Sequence, residues 1–248
     1  MTALERGRYA ARLAEGPGDL AVVLALRARA FRDGADDRDP WDARCLHLLV
    51  EDRGGGPVAA ACRLLLLPSG ADFAQSYSAQ FYEVDGMSAL SAPVAEVGRL
   101  CTAPGLADPD PIRLLWGALT GLLGARGVGC LFGCTSFRGG DPARHRPALD
   151  LLAARHLLQP PWQVRARRAG GVRLRSDGDR QGDGAEGAAM AWQGIPPLLR
   201  AYLAMGGRVG QEAVIDRDLD TLHVFTLVDV AAMPAGRLAA LQALAGRQ

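Results

Sequence analysis

Glu96 and Arg99 are the residues of this sequence whose types and spacing most clearly suggest chemistry. They lie in the segment Glu96-Val97-Gly98-Arg99-Leu100-Cys101, which is predicted to be a strand. A carboxylate in a half-buried cleft can serve as a general base for an incoming ammonium, and a nearby arginine can hold it ionised or bind an anion. Three residues apart on a regular pleat, the two side chains point to opposite faces. A bulge near Gly98 would bring them together; otherwise the pair is a salt bridge on a sheet edge.

Five residues that precede this segment in the sequence could line the same site. An arginine at a helix end can simply be solvated, and an aromatic residue can be ordinary core. An arginine inside an apolar strand needs a partner or a cleft, unless it points to the wet face of an antiparallel sheet. These alternatives stay open for the five candidates, which are Arg27, Phe31, Trp41, Asp42 and Arg63.

The composition excludes several kinds of chemistry. All 28 basic residues are arginine, so Schiff-base catalysis, a P-loop lysine and a pyridoxal-phosphate anchor are impossible. The net charge of +1 gives no global attraction to nucleic acid or to a membrane. No Gly-x-Ser-x-Gly elbow occurs. We expect no metal site, because no histidine has a partner at metal-ligand spacing. The histidines are His47, His145, His156 and His223.

Cysteine use and hydropathy favour a cytoplasmic protein with reduced thiols. The five cysteines are an odd number without zinc-like pairing, and Cys130 and Cys134 lie in an apolar run where both fit a core. Apolar runs such as 59–67 and 114–123 are too short or too interrupted to span a bilayer. The arginines near the N-terminus are not followed by an apolar stretch with a cleavage site, so no signal peptide is expected.

The order of the predicted elements indicates a mixed α/β protein with a central sheet. Strands are predicted at 9–13, 46–51, 58–67, 94–102 and 128–137, and helices near 17–31, 110–125 and 141–156. A polar loop spans 33–44, and the aromatic-rich stretch 71–90 is predicted to form one or two short helices. We expect a core at 1–160 and a C-terminal α/β extension at 161–248 that packs on it.

The predicted extension carries the densest basic cluster. Arg165, Arg167 and Arg168 could dock an acidic partner through charge complementarity, or could form a solvated loop edge that nearby aspartates partly offset. Residues 170–187 are rich in Gly, Asp and Arg, and this composition predicts a mobile insertion. A helix at 195–205, strands at 208–215 and 222–230, and a last helix from 234 complete the extension.

A series of short blocks, in one order along the chain, carries a family resemblance. The blocks are Arg27-x-x-x-Phe31, Trp41-Asp42-Ala43-Arg44-Cys45-Leu46-His47, Cys62-Arg63-Leu64-Leu65, Phe81-Tyr82-Glu83, Glu96 to Cys101, Leu114-Leu115-Trp116, Leu131 to Phe137 and Pro196 to Gly206. In these blocks the sequence resembles the bacterial ornithine N-alpha-acyltransferases of ornithine-lipid synthesis. That family is related to the GCN5-type N-acyltransferases and, more closely, to the acyl-homoserine-lactone synthases. The resemblance spans roughly residues 9–233.

The resemblance implies a fold and an activity. The fold is the GCN5-type N-acyltransferase arrangement, a mixed central sheet flanked by helices. The activity is transfer of a 3-hydroxyacyl group from acyl carrier protein to ornithine, which gives lyso-ornithine lipid. Because the product is a lipid, we expect at most transient contact with the inner membrane.

The resemblance also carries functional roles over to individual residues, namely Arg27, Phe31, Arg63, Glu96 and Arg99. We expect Glu96 to act as base and Arg99 to hold an anion, with the thioester carbonyl bound by a backbone N–H near Leu100 or Cys101. Further substrate-binding candidates are Trp41, Asp42, Phe81 and Tyr82, and candidates for carrier-protein docking are Arg165, Arg167 and Arg168.

Two segments depart from the patterns of these families. The GCN5-type pyrophosphate loop, Gln/Arg-x-x-Gly-x-Gly/Ala, is absent, and residues 103–113 offer three prolines and one glycine instead. This argues against coenzyme A and favours a carrier-protein donor, with no separate cofactor. Leu46 stands where ornithine-lipid enzymes commonly have an acidic residue, so amine recognition rests on Asp42, Glu96 or another group.

Two other functions stay open at this point. A lactone synthase that uses S-adenosylmethionine would share the fold with another acceptor, although the block at 196–230 matches the ornithine enzymes instead. A non-catalytic module that binds acyl carrier protein would keep the cleft without turnover.

Overall fold

The computed structural model describes residues 3–167, 170–175 and 185–246, without the side chains of 185 and 186. Its strands and α-helices in chain order are β1 (Leu4–Arg6), β2 (Tyr9–Leu13), α1 (Gly16–Phe31), β3 (Leu46–Asp52), β4 (Ala60–Leu67), β5 (Tyr82–Asp85), β6 (Val94–Thr102), α2 (Asp110–Ala125), β7 (Cys130–Arg138), α3 (Arg146–Arg155), β8 (Gln163–Ala166), β9 (Val172–Arg173), α4 (Ala185–Gly194), α5 (Pro197–Ala204), β10 (Arg208–Asp216), β11 (Thr221–Asp229) and α6 (Ala235–Gly246).

The chain forms two compact units, and unit 1 combines three segments, Met1–Leu67, Ala95–Val128 and Ala235–Gln248. Its strands lie in the order β1-β2-β3-β4-β6. The pairs β1–β2, β2–β3 and β3–β4 are antiparallel, and their register sets His47 on β3 directly opposite Arg63 on β4. Directly opposite residues project from the same face of a sheet. These two polar side chains therefore share a face in the middle of an apolar unit.

Helix α1 supplies the hydrophobic cover of that face. Its residues Val23 and Leu26 pack with Leu49 of β3 and Ala61 of β4, and the four side chains are fully buried. Val23 and Leu26 are three residues apart, which places them on one side of the helix, together with Arg27 one position further along. The packing of α1 thus carries an arginine into the same buried layer.

Helix α2 packs on β2, β3 and β4, and α6 packs on α2. A buried stripe at helical spacing makes α2 amphipathic; its residues include Leu115, Ala118, Leu119 and Leu122. Gly117 lets α6 approach closely, because a Cβ at that position would lie only 3.0 Å from the carbonyl oxygen of Leu244.

Unit 2 comprises Pro68–Val94 and Gly129–Pro234. Its main strands follow the order β7-β11-β10-β9, with β11 paired antiparallel to both β7 and β10, and β5 pairs with β8 in a separate ribbon. One core of this unit joins α3 and α5 to β11 through residues that include Leu149, Leu199 and Val224. A second set of buried rings, Phe73, Tyr82, Phe132 and Phe225, forms an aromatic cluster.

The expected mixed α/β fold of the GCN5 type is confirmed. The strands predicted at 9–13 and 94–102 and the helix predicted at 110–125 match the structure to the residue. The stretch 71–90 was predicted wrongly in one respect: besides three short 3-10 helices it contains β5, whose partner β8 lies about 80 residues away in the chain. Long-range pairing of this kind leaves no local pattern.

The C-terminal part contains more regular structure than its composition predicts. Val172–Arg173 pairs with β10, and α4 begins at Ala185, while residues 176–184 lie outside the described residues. The division into a core at 1–160 and an extension at 161–248 stays a prediction.

Among the described helices, none combines the length and the apolar character needed to cross a bilayer.

Candidate active site

Unit 1 contains a network of buried ion pairs that we call the arginine–aspartate cluster. The arginines come from three regular elements, and the aspartates come from the polar loop that follows α1. Its members are Arg27 on α1, Arg63 on β4, Arg99 on β6, and the loop residues Asp37, Asp39 and Asp42. All of these side chains are at least four-fifths buried.

Arg27 holds the loop against α1 through three hydrogen bonds. Its Nε donates to Asp37 Oδ2 at 2.8 Å, its Nη1 to Asp42 Oδ1 at 2.6 Å, and its Nη2 to the carbonyl oxygen of Asp37 at 2.7 Å. The Arg27 side chain is 1% exposed. A buried guanidinium with two carboxylate partners is fully compensated, and removing either side would leave an unpaired buried charge.

Arg63 and Arg99 complete the network from the sheet. Arg63 Nη1 donates to Asp39 Oδ1 at 2.5 Å and to Asp42 Oδ1 at 2.9 Å. Arg99 Nε donates to Asp37 Oδ2 at 2.9 Å, and Arg99 Nη2 lies 3.6 Å from Asp39 Oδ2. The three arginines therefore fix one short loop from three directions.

The ion pairs shift the pKa values of Asp42, Asp37 and Arg63 toward their charged forms. Burial on its own raises the pKa of Asp42, but hydrogen bonds from Arg27, from the Asp39 N–H and from Arg63 outweigh it and bring this pKa to about 2. The pKa of Asp37 is also lowered, because attraction to Arg99 and hydrogen bonds from Arg27 and Arg99 exceed the opposing effect of burial. The pKa of Arg63 is raised, since Asp39 and Asp42 more than offset its burial.

Strand β6 departs from a regular pleat at Arg99. This residue has φ of +51°, the left-handed conformation that non-glycine residues rarely adopt. The irregularity follows directly after Gly98, the position at which a bulge would bring Glu96 and Arg99 together. A Cβ at Gly98 would lie 3.9 Å from Arg63 Nε, so Gly98 faces Arg63. Glu96, two residues earlier, shares that face, and the break turns Arg99 toward Asp37.

Glu96 is 6% exposed and lies within electrostatic reach of the cluster. The Cys45 thiol indicates where Glu96 lies, because the charges that shift the pKa of this thiol are those of Arg63, Glu96, Asp42 and Asp39. Glu96 is therefore a buried carboxylate beside Arg63, on the strand that also carries Arg99. The predicted approach of Glu96 and Arg99 to each other stays a prediction.

The cysteines of this region are not activated. Burial raises the pKa of Cys45 to about 11 and that of Cys101 to about 12. The Cys101 side chain packs in the core with Val23 and Leu49. Both thiols are protonated at neutral pH and are poor nucleophiles.

His47 stands opposite Arg63 and is 7% exposed. Its Nε2 lies 3.1 Å from the carbonyl oxygen of Asp42. A carbonyl oxygen only accepts, so Nε2 is the donor and Nδ1 of the neutral ring carries the lone pair. Burial lowers the pKa of His47, Arg27 and Arg63 lower it further, and Asp42 opposes them. The ring is a neutral acceptor within the arginine–aspartate cluster.

Two aromatic candidates lie beside the cluster in unit 1. The Arg99 guanidinium carbon lies 5.8 Å from the ring centre of Phe31, and Phe31 also packs on the hydrophobic core with Val23. Trp41 is half-buried, its backbone N–H donates to Asp39 Oδ1 at 2.9 Å, and Arg44 stacks on its ring. Both residues therefore help to order the groups that surround the ion pairs.

The candidates Phe81 and Tyr82 belong to unit 2. Tyr82 is completely buried, and its hydroxyl donates to the carbonyl oxygen of His223 at 2.7 Å and lies 3.0 Å from His223 Nδ1. Phe81 packs edge-on against the same imidazole, 4.8 Å between ring centres. Their predicted contact with substrate stays a prediction.

The arginines predicted to dock a carrier protein also lie in unit 2. Arg165 Nη1 bonds Asp85 at 2.9 Å, Arg167 Nη1 lies 3.6 Å from Glu83, and both arginines are about half exposed. Arg168 lies outside the described residues. Each of the two described arginines thus has a local acidic partner, which reduces the net positive charge of this edge.

Sequence reasoning missed Asp37, Asp39 and the acceptor role of His47. The loop 33–44 was recognised only as polar, because exposed loops are rich in aspartate. The signal that could have identified them is the series of four aspartates at 36, 37, 39 and 42, because the three arginines in apolar elements need acidic partners. Among the described residues, no group of three or more His, Cys, Asp or Glu side chains is arranged to hold a metal ion.

Comparison with known proteins agrees with this fold. Residues 23–117, which contain the whole arginine–aspartate cluster, match the family model of the acetyltransferase (GNAT) domain. An L-ornithine N(alpha)-acyltransferase of Rhodobacter capsulatus is 32% identical over 176 residues, 71% of this chain and 66% of the relative. The enzyme of the same name from Brucella abortus is 28% identical over 244 residues, 90% of this chain and 85% of the relative.

Among solved structures, the AHL synthase LasI superposes with a TM-score of 0.50 at 13% identity, covering 95% of each chain. At this identity the likeness concerns the fold alone, and it agrees with the mixed α/β arrangement described above. The GNAT match, the extended similarity to the two acyltransferases and the shared fold all support the same family assignment. The chain is a GNAT-type acyltransferase and belongs to the family of L-ornithine N(alpha)-acyltransferases.

Proposed function

We propose that the protein transfers a 3-hydroxyacyl group from acyl carrier protein to the α-amine of L-ornithine and releases lyso-ornithine lipid. The observation that carries this proposal is the buried Glu96 beside the arginine–aspartate cluster, in a chain whose relatives bear the name of this activity. The site combines a carboxylate that can take a proton with arginines that can bind a carboxylate. An amino-acid acceptor needs both.

A carrier-protein donor is supported by the loop between β6 and α2. In GCN5-type enzymes that bind coenzyme A, free N–H groups at such a helix start receive the diphosphate. Here Asp108 Oδ1 already accepts from the Asp110 N–H at 2.9 Å, Pro109 and Pro111 have no N–H, and Asp110 adds a negative charge in the first turn. This helix start therefore offers fewer N–H groups to a diphosphate, while Asp110 pairs with Arg6 at 3.0 Å and with Arg113 at 3.5 Å.

The chemistry proceeds by direct attack of the amine on the thioester. Glu96 takes a proton from the α-ammonium, so that the nitrogen lone pair can attack the carbonyl carbon. The C–N bond forms, the C–S bond breaks, and the thiolate of the carrier arm leaves and takes up a proton. Arg63 or Arg99 orients the carboxylate of the acceptor.

The developing oxyanion is bound by a backbone N–H at Leu100 or Cys101. These residues follow Arg99, whose left-handed conformation turns the next peptide group away from a regular ladder. A covalent acyl-enzyme is not part of this route, because the thiols of Cys45 and Cys101 stay protonated. Oriented attack of an amine on a thioester needs no such intermediate.

The carrier protein would bind with its acidic surface near Arg165 and Arg167, where both side chains are half exposed. For this, each arginine must exchange its local partner, Asp85 or Glu83, for a carboxylate of the carrier. Such an exchange gives a salt-sensitive and short-lived contact, which suits a donor that leaves after each turnover.

The proposal is tested by a matched panel of donors and acceptors. The purified chain is incubated with 3-hydroxyacyl carrier protein or 3-hydroxyacyl coenzyme A, each with L-ornithine, L-lysine or S-adenosylmethionine, and free thiol and product mass are followed. We expect N-acylornithine with the carrier-protein donor. A lactone product would indicate a lactone synthase, and tight binding of the carrier protein without thiol release would indicate a non-catalytic module; either result would refute the proposal.

A further inference from the structure

The carboxylates of the arginine–aspartate cluster differ in how completely their oxygens are used. Asp42 accepts from Arg27 and Arg63 at Oδ1 and from the Asp39 N–H at Oδ2, 3.0 Å away. Asp37 accepts from Arg27 and Arg99 at Oδ2, and from Arg32 at Oδ1, 3.2 Å away. Every oxygen of these two carboxylates therefore accepts at least one hydrogen bond from the protein itself.

Asp39 is different. Its Oδ1 accepts from Arg63 at 2.5 Å and from the Trp41 N–H at 2.9 Å, which fixes the carboxylate plane. Its Oδ2 has no hydrogen-bond partner among the described residues, and the nearest cation is Arg99 Nη2 at 3.6 Å, beyond hydrogen-bond distance. Asp39 is also the most exposed of the three, at 18% against 0% for Asp37 and 5% for Asp42.

A second acceptor in the same cluster also lacks a donor. His47 Nδ1 is enclosed and has no hydrogen-bond partner within the described part of the chain, although the residue is more than nine-tenths buried. Unpaired buried acceptors are uncommon, and each requires an explanation. Two of them beside the same arginines indicate that the cluster is completed by a ligand that brings hydrogen-bond donors.

An ammonium group is the ligand chemistry that this arrangement fits. It offers three N–H donors and a positive charge to a carboxylate oxygen. The α-ammonium of an acceptor must lose a proton before it attacks, and an ion pair with a fixed carboxylate would hold that proton in place. The cation that Asp39 can hold throughout the reaction is therefore one that stays charged, such as a side-chain ammonium.

We propose that Asp39, through Oδ2, binds the side-chain ammonium of the amino-acid acceptor and so selects a diamino acid. The proposal rests on the proposed function and names the residue that determines its acceptor specificity. The sequence left amine recognition to Asp42, Glu96 or another group, and Asp42 is held by Arg27 and Arg63. Asp37 and Asp42 build the site, and Asp39 is the one aspartate of the cluster with an oxygen that accepts no hydrogen bond from the described residues.

The test compares two acceptors that differ only in the cation. L-Norleucine carries a methyl group where L-ornithine carries its side-chain ammonium. The rate of its acylation therefore reports acyl transfer without the ion pair to Asp39. Asp39→Asn keeps an oxygen for Arg63 and Trp41 and places a neutral amide at Oδ2. We expect this substitution to lower the ratio of kcat/KM for ornithine over norleucine about ten- to a hundred-fold, mainly through a higher KM for ornithine.

Asp36→Asn is the matched control, since Asp36 is exposed, lies in the same loop and accepts from the Arg38 N–H. It should leave the ratio at the wild-type value. An unchanged ratio in Asp39→Asn, or an equal loss with both acceptors, would overturn the proposal, since the latter is what a purely structural role predicts. Failure of the wild-type protein to acylate ornithine at all would instead refute the proposed function.

Discussion

Arg99 Nε donates to Asp37 Oδ2 at 2.9 Å, and this contact ties a strand residue to a loop 62 residues earlier in the chain. The same oxygen accepts from Arg27 Nε at 2.8 Å. The contact depends on the left-handed backbone at Arg99, which costs on the order of 1 to 3 kcal/mol for a residue with a side chain. The ion pairs of the cluster hold Arg99 in this conformation, and Glu96 lies on the same strand three residues before it.

Glu96→Gln should lower kcat by on the order of 100-fold or more while the fold survives. The amide has nearly the same shape as the carboxylate but cannot take a proton from the incoming ammonium. The measurement is steady-state release of carrier-protein thiol, with circular dichroism to verify folding.

Glu5→Gln is the control for this substitution, because Glu5 is an exposed glutamate of unit 1 that accepts a hydrogen bond from Arg53. Its turnover should equal that of the wild type. Near-normal turnover of Glu96→Gln would reject Glu96 as the base.

Arg27→Met should destabilise the protein by about 3 to 5 kcal/mol, because it leaves Asp37 and Asp42 buried without their main cation. The free energy of unfolding is measured by urea denaturation. Arg29→Met, on the exposed side of the same helix, should change it by less than about 0.5 kcal/mol. Equal effects of the two substitutions would show that the buried ion pairs contribute little.

Low pH should lower the free energy of unfolding, because it protonates carboxylates of the arginine–aspartate cluster. The pKa of Asp42 is about 2 in the folded protein and about 3.9 in an unfolded chain. Because the folded-state pKa is the lower one, the stabilisation is complete above the unfolded pKa and is lost as pH falls from about 4 toward 2. The lowered pKa of Asp37 acts in the same direction.

Urea denaturation of wild type and Asp42→Asn at several pH values isolates this contribution. The difference in unfolding free energy between the two proteins should be largest at pH 5 and above, and should shrink steadily below pH 4. A difference that stays constant down to pH 2.5 would contradict the depressed pKa of Asp42.

Incubation with the acyl donor alone should leave the intact mass of the protein unchanged. The thiols of Cys45 and Cys101 have pKa values of about 11 and 12, so almost no thiolate exists at neutral pH to attack the thioester. Intact-protein mass spectrometry is the measurement. A mass increase equal to the acyl group, located on either cysteine by peptide mapping, would establish a covalent intermediate instead.

The sequence alone predicted much of unit 1 and part of the site. Helix α2 and strand β6 were predicted to the residue, because apolar periodicity and the Asp110-Pro111 start are local signals. A bulge near Gly98 was one of two alternatives that the sequence left open, and Arg99 directly after it has the left-handed backbone. The partners of Arg27 and Arg63 were not predicted, since they lie in an irregular loop whose conformation is set by those same arginines.

In unit 2, two features depend on residues far apart in the sequence and could not be predicted from local patterns. Strand β5 forms only because β8 pairs with it, and the Tyr82 hydroxyl finds its acceptor at His223, 141 residues later in the chain. Neither contact is encoded near the residues that make it. The sequence left amine recognition to Asp42, Glu96 or another group for the same reason: only the geometry shows that both oxygens of Asp42 accept hydrogen bonds and that Oδ2 of Asp39 has no hydrogen-bond partner among the described residues.

The position of the acyl group on the product tests the central claim most directly. The wild-type protein is incubated with 3-hydroxyacyl carrier protein and L-ornithine labelled with nitrogen-15 at the α-amine, and the product is fragmented by tandem mass spectrometry. The account predicts a single amide that carries the acyl group on the labelled nitrogen, because the side-chain ammonium is held by Asp39. An acyl group on the unlabelled side-chain nitrogen, or no amide at all, would contradict it.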